Sequence, residues 1–152
     1  MKSLIFALLL VALSWPASAR IMRGWTYQEM LDQSDLVAIA RPVVSKNTPE
    51  RTVLPDIAPD VHVLGVETDF EVSAVLKGSK DIKKFVMHHY NLVKPDEPMI
   101  NGPCLFYFDP KEKRKPKFLL FLVREQDGRY APVTGQTDPT LFSILDLGGI
   151  PE

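Results

Sequence analysis

Residues 66–76 constrain the fold more than any other stretch. Val66, Thr68, Phe70, Val72, Ala74 and Leu76 alternate with Glu67, Asp69, Glu71, Ser73 and Val75. A period of two does not suit a helix, whose faces recur about every 3.6 residues. It predicts a β-strand with an apolar face in a core and an acidic row toward water. Lys77-Gly78-Ser79 predicts a turn, and Phe85 to Val93 the returning strand of an antiparallel pair.

Around this pair the chain breaks into short elements. Thr26 and Glu29 form a T-x-x-E capping box, which opens a short helix over roughly Tyr27 to Gln33 with Met30 and Leu31 on its buried side. Leu36-Val37-Ala38-Ile39-Ala40 is apolar on both faces, as in a central strand or a strand of a closed barrel. Pro42 marks a bend or bulge, because proline cannot donate to a ladder. Residues 46–61, with Pro49, Pro55 and Pro59, predict a long loop that is a candidate for binding. Residues 94–103 predict another, holding Pro95, Pro98 and Pro103.

Leu105 to Phe108 is a short apolar segment, and Lys111 to Lys117 a charged loop. Phe118 to Arg124 predicts a buried strand, and Asp127-Gly128 a hairpin turn. Tyr130 to Thr134 returns as a strand, with Pro132 suggesting an edge position. Asp138 then predicts the cap of a last short helix, with Pro139 at its first position and Leu141, Ile144 and Leu145 on one face. The expected class is mainly β. Five strands with an insertion between the third and fourth fit a five-stranded Greek-key OB-like barrel. A β-sandwich and an open α+β sheet are the alternatives.

The start of the chain bears on location. Lys2, the apolar run Leu4–Leu13, Pro16 and the small-x-small pattern Ala17-Ser18-Ala19 are the anatomy of a secretory signal peptide. The run is too short to span a bilayer, which takes about 20 residues. The expectation is a signal peptide over 1–19, cleavage between Ala19 and Arg20, and one secreted or periplasmic domain over 20–152. About 130 residues suit a single domain. The formal net charge of the whole chain is −1, and loss of Lys2 makes it one unit more negative. That argues against a general fit to nucleic acid or an anionic membrane. The one cysteine, Cys104, cannot form an internal disulfide, and its apolar neighbours predict a buried thiol.

Candidate chemistry is sparse. The histidines are His62, His88 and His89. His88 and His89 are neighbours on a predicted strand, so they point to opposite faces and cannot readily share an ion. His62 with one of them, completed by Asp60 or Glu67, is the best available metal set, but zinc sites show tighter spacing. Lys111, Lys113, Arg114, Lys115 and Lys117 form a basic cluster broken by Glu112, just after Phe106, Tyr107 and Phe108. Positive charge beside aromatics is what single-strand binding needs, though a solvated loop explains the charges more simply. Glu67, Asp69 and Glu71 share one strand face, as a solvent-facing row does, while Asp127 and Asp138 read as turn and cap. No serine-elbow, zinc-helix or phosphate-loop motif occurs. No catalytic residue, cofactor or metal ligand is therefore assigned.

Three stretches carry a resemblance. They are Ser34–Ala40, Phe70–Gly78, and Phe118–Leu122 leading through Asp127-Gly128-Arg129-Tyr130 to Pro132-Val133-Thr134-Gly135. Their order resembles small exported bacterial proteins of unassigned function, with an OB-type barrel similar to that of the tissue inhibitor of metalloproteinases and netrin-like modules. The resemblance spans roughly residues 27–145 and implies that barrel fold. The inhibitors chelate a protease zinc through an N-terminal cysteine. This chain has no cysteine near its expected first residue, Arg20, so that chemistry transfers to no residue here. The resulting expectation is a binding module without catalysis, its partner a protein or envelope component. A metal-dependent or carboxylate-based hydrolase and a structural or adhesion component are the alternatives.

Overall fold

The computed structural model describes residues 24–54, 58–93, 105–138 and 142–148, without the side chains of 58–60. The expected signal peptide, Cys104, the 94–103 loop and the Pro139–Leu141 stretch lie outside the described residues. Helix α1 spans Tyr27–Gln33. The strands are β1 (Leu36–Leu54), β2 (Ala58–Lys77), β3 (Lys84–Leu92), β4 (Phe118–Arg124), β5 (Tyr130–Pro132) and β6 (Ile144–Asp146). The molecule is mainly β. Neighbours run β1-β2-β3-β5-β4, and β4 pairs back onto β1, so five strands form a closed ring.

The capping box is present: Thr26 Oγ1 accepts from the Glu29 N–H, and the Glu29 carboxylate accepts from the Thr26 N–H at 2.8 Å. Met30 is buried against Val37 and Phe121. Leu31, expected beside it, is exposed instead. The C-terminal carbonyls of α1 are satisfied from across the fold, where the Lys77 ammonium donates to Leu31 O and Asp32 O.

Residues 36–40 explain their own apolar character. They pair with β2 on one edge and with β4 on the other, from Leu36↔Leu122 to Ala40↔Phe118. Leu36, Ala38 and Ala40 face the main core with Phe70, Phe85, Met87, Leu120 and Leu122. Val37 packs under the helix. Phe70 stacks on Phe85 at 5.3 Å and meets the edge of Phe108 at 5.2 Å.

The 46–61 stretch, expected as a loop, is mostly strand. β1 runs through it to Leu54, and β2 begins at Ala58. Pro49 and Pro59 misled because register shifts absorb them, while Pro55 lies outside the described residues. Between Asn47↔Val66 and Arg51↔Leu64, three β1 residues including Pro49 oppose Gly65 alone. Val43 is an extra residue just after Pro42, as expected of a bulge there.

Bulges also change which side chains of β2 enter the core. Ala40 pairs with Val72 but Ile39 with Ala74, so Ser73 is extra; Ala38 pairs with Val75 but Val37 with Lys77, so Leu76 is extra. Each extra residue inverts the side-chain phase. Val72 and Val75 therefore pack on the core, while Leu76, expected inside, is 56% exposed.

The hairpin at Asp127-Gly128 forms as expected, with Gly128 at φ 90 and the Glu125 N–H donating to Arg129 O. Pro132 is not on an edge strand, because β5 lies between β4 and β3. Val133 N–H donates to Phe121 O beside the Leu122↔Pro132 pair, so the proline occupies a position whose N–H is not used toward β4. The predicted C-terminal helix is replaced by β6, at least from Ile144 onward. The Asp138 carboxylate is buried, and instead of capping a helix it accepts from Ser143 N and Ile144 N at 3.2 Å and from the Thr134 hydroxyl. That turns the chain so that Ile144 enters the core beside β4.

Two substitutions separate these placements. Leu120→Ala should cost about 2–5 kcal/mol, because a fully enclosed leucine leaves a cavity. Leu76→Ala should change stability by less than about 0.5 kcal/mol, as surface sites do. Urea unfolding of both variants checks this, and comparable losses would place Leu76 in the core.

Candidate functional site

A polar network lies where three segments meet on the outside of the ring. β3 contributes His88 and Tyr90, and β2 contributes Glu67, which pairs with His88. The 48–50 bulge of β1 brings Glu50 over the sheet. The β4–β5 hairpin adds Glu125, Asp127 and Arg129. His88 Nδ1 lies 3.1 Å from both Glu125 oxygens. Its Nε2 is 3.0 Å from Glu50 Oε2, a charge contact without the alignment of a hydrogen bond. Tyr90 donates its hydroxyl to Glu50 Oε1 at 2.7 Å, and Gln136 donates to Glu125 at 3.1 Å. Arg129 joins Glu67, Asp127 and Glu125, and Lys46 closes the chain onto Glu67 at 2.8 Å.

Gly65 makes this approach possible. A Cβ there would stand 2.5 Å from Thr48 Oγ1 and 3.0 Å from the Glu50 Cβ. Any other residue would lift the bulge off the sheet and carry Glu50 away from His88.

The electrostatics follow from the pairings. Hydrogen bonding to Lys46, with Arg129 nearby, holds the Glu67 carboxyl below its usual range despite partial desolvation. The Arg129 N–H does the same for Asp127, aided by its guanidinium. Burial and the Glu50 carboxylate raise the Tyr90 phenol above its ordinary value, so it stays a donor at neutral pH. Four carboxylates face two permanent cations, with His88 between Glu50 and Glu125. Chemically this array ties three segments together, with the His88 imidazole as the group that contacts both Glu50 and Glu125. With only 3% of His88 exposed, the imidazole is closed to a substrate.

His89 faces the other way, as strand alternation requires. Its Nε2 is 2.9 Å from Thr68 Oγ1, which contacts Ser45 Oγ at 2.8 Å. Nδ1 is buried without a partner. A bare acceptor costs less to bury than an unpaired N–H. The proton is therefore assigned to Nε2, which donates to Thr68, and Thr68 donates to Ser45.

The other sequence candidates are dispersed. His62 is exposed and pairs with Val53 rather than joining His88. The Asp60 side chain is outside the described residues. Among the described residues no three His, Cys, Asp or Glu side chains are arranged to hold a metal ion. The acidic row of β2 is partly neutralised, since Glu71 pairs with Arg41 and Lys84 as Glu67 does with Lys46 and Arg129. Sequence reasoning missed Glu50, Tyr90, Glu125 and Arg129. The hairpin signal at 127–128 was enough to set Glu125 opposite Arg129. Nothing local marked Glu50, which arrives through a bulge.

Burial and the neighbouring His88 push the His89 imidazole down to about 4. An unfolded imidazole takes up its proton near pH 6.5. The unfolded state therefore binds more protons between these values. Stability is complete above about pH 6.5 and should fall by about 3 kcal/mol as the pH approaches 4. Urea titrations from pH 7.5 to 4 measure this slope. His89→Gln should remove that share of it, and an unchanged slope would assign the loss to other groups. Gly65→Val should break the Tyr90–Glu50 hydrogen bond while the ring stays folded. A normal Tyr90 titration in the wild type, unaltered by that substitution, would contradict the packing described.

No protein-family model, curated protein or solved structure matches this chain.

Proposed function

We propose that the protein is an exported OB-type binding module without catalysis, acting in the periplasm or outside the cell. The observation that carries this reading is a coincidence of place. In an OB barrel, ligands bind on the β2–β3 face between the β1–β2 and β4–β5 loops. The polar network lies on β2 and β3 here, between the bulged β1–β2 arm that brings Glu50 and the hairpin that brings Glu125, Asp127 and Arg129. The ring order β1-β2-β3-β5-β4-β1, the parallel contact of β3 with β5 and the long insertion between β3 and β4 also support an OB-type identity, including the tissue-inhibitor and netrin-like form.

The chemistry of this face favours a partner class. Its surplus of carboxylates disfavours phosphate and suits a protein or envelope component that presents cations or hydroxyls. Binding is favoured over hydrolysis because both ring nitrogens of His88 face carboxylates and the imidazole is enclosed.

Capture tests the reading. Exported protein, immobilised and exposed to its own envelope fraction, should retain a component saturably, and Glu67→Gln with Asp127→Asn should weaken that retention and its salt dependence. No saturable capture, or capture indifferent to the paired substitution, would overturn it. A zinc titration tests the hydrolase alternative. Binding one to one at micromolar affinity, lost in both His62→Ala and His88→Ala, would favour the hydrolase.

A further inference from the structure

A second surface stands apart from the carboxylate face. The 109–117 loop is built on a fixed base. Phe108 is buried and meets Phe118 edge to face at 5.2 Å. The Asp109 carboxylate accepts from Lys111 N at 2.8 Å, and its carbonyl accepts from Glu112 N. Lys115 N donates to Glu112 O, and Pro116 is buried. From this base Lys111, Lys113, Arg114, Lys115 and Lys117 all project into solvent. Glu112 is the one carboxylate within the run, and it pairs with Arg114. Lys77, Lys80, Lys84 and Lys46 are each held by a partner, on the helix carbonyls, on Val75 O, on Glu71 and on Glu67.

Apolar side chains accompany the charges. Tyr107, at the foot of the loop, is 60% exposed. Leu147 is 51% exposed and is tied beside the cluster, its N–H donating to Lys117 O at 2.9 Å. Phe106 and Phe108, which would have to stack on bases in a single-strand site, are turned into the core. Only Tyr107 of the three aromatics remains available. Dense cations with an exposed tyrosine and leucine suit a lipid interface, where charges meet headgroups and amphipathic side chains enter the boundary.

We propose that the 107–117 loop, with Leu147, docks the protein peripherally on an anionic phospholipid surface. The proposal rests on the export reading, which places the protein beside a membrane, and not on the carboxylate face. Near neutrality of the whole chain does not oppose it, because screening limits each charge to roughly 10 Å at 0.1 M salt, and the loop is felt locally.

Vesicle co-sedimentation of the exported protein is the test. Vesicles with one third phosphatidylglycerol in phosphatidylcholine should bind it, and pure phosphatidylcholine should not. Each cation removed should weaken binding about fivefold, so Lys111→Gln/Lys113→Gln/Lys117→Gln together should weaken it on the order of a hundredfold. Glu112→Gln should tighten it. Tyr107→Ser should lower the part of the binding that survives high salt. The lysines and Tyr107 are exposed and Glu112 is half-buried, and unchanged thermal unfolding of each variant confirms folding. Absence of binding to the anionic vesicles, equal binding to both compositions, or binding indifferent to the triple substitution overturns the proposal; the last outcome assigns attachment to another segment. Tighter binding of a single-stranded oligonucleotide than of vesicles, lost in the same variant, overturns it in favour of nucleic acid. Envelope capture through the carboxylate face is scored separately and can survive any of these failures.

Discussion

Everything in this fold depends on the double pairing at the start of β1. From Val37 to Ala40 the strand is bonded to β2 on one edge and to β4 on the other, and Leu36 pairs with β4. Its two faces are buried as well, one in the main core and one under α1. A segment enclosed on four sides leaves no room for polar side chains, so the run is aliphatic throughout. Closing the ring there removes the free edges that an open sheet of five strands would expose. It also brings β4, distant in sequence, onto β1, and with it the hairpin and the basic loop.

Bulges then do what a regular ladder cannot. Extra residues at Val43, Ser73 and Leu76 bend β1 and β2 around the ring and invert their inward phase. The 48–50 bulge serves a different end. It lays Glu50 across Gly65, so that a residue far from His88 in sequence reaches its ring nitrogen. The bulge is thereby tied to β3 through Tyr90 and His88, and through His88 to Glu125 at the base of the β4–β5 hairpin.

Charge is segregated although the chain is nearly neutral. On the β2–β3 face each cation is matched to carboxylates, and the balance is acidic. On the 109–117 loop five cations outnumber two carboxylates, Asp109 and Glu112. Two surfaces of opposite character thus stand on one small scaffold, and neither shares a residue with the other.

Local chemistry alone decided much of this. The capping box at Thr26 and Glu29, the buried run at 36–40, the strand at 118–124 and the hairpin at Asp127-Gly128 are each set by neighbours within a few residues, and each was legible. The opposite facing of His88 and His89 follows from strand pleat in the same way. Tertiary structure decided the rest. Whether Pro42, Pro49 and Pro132 end a strand depends on whether a partner needs the missing N–H, and only the pairing tells. Whether Val75 or Leu76 enters the core depends on where β1 forces a bulge into β2. Asp138 looked like a helix cap because its sequence context fits one, but a buried carboxylate binds whichever N–H groups the fold brings to it, and here those belong to Ser143 and Ile144 at the start of a strand. The candidate site was the least legible part for the same reason: Glu50, His88 and Glu125 come from three segments, and they become neighbours only through the pairing of β1 with β2, of β2 with β3 and of β3 with β5, together with the 48–50 bulge.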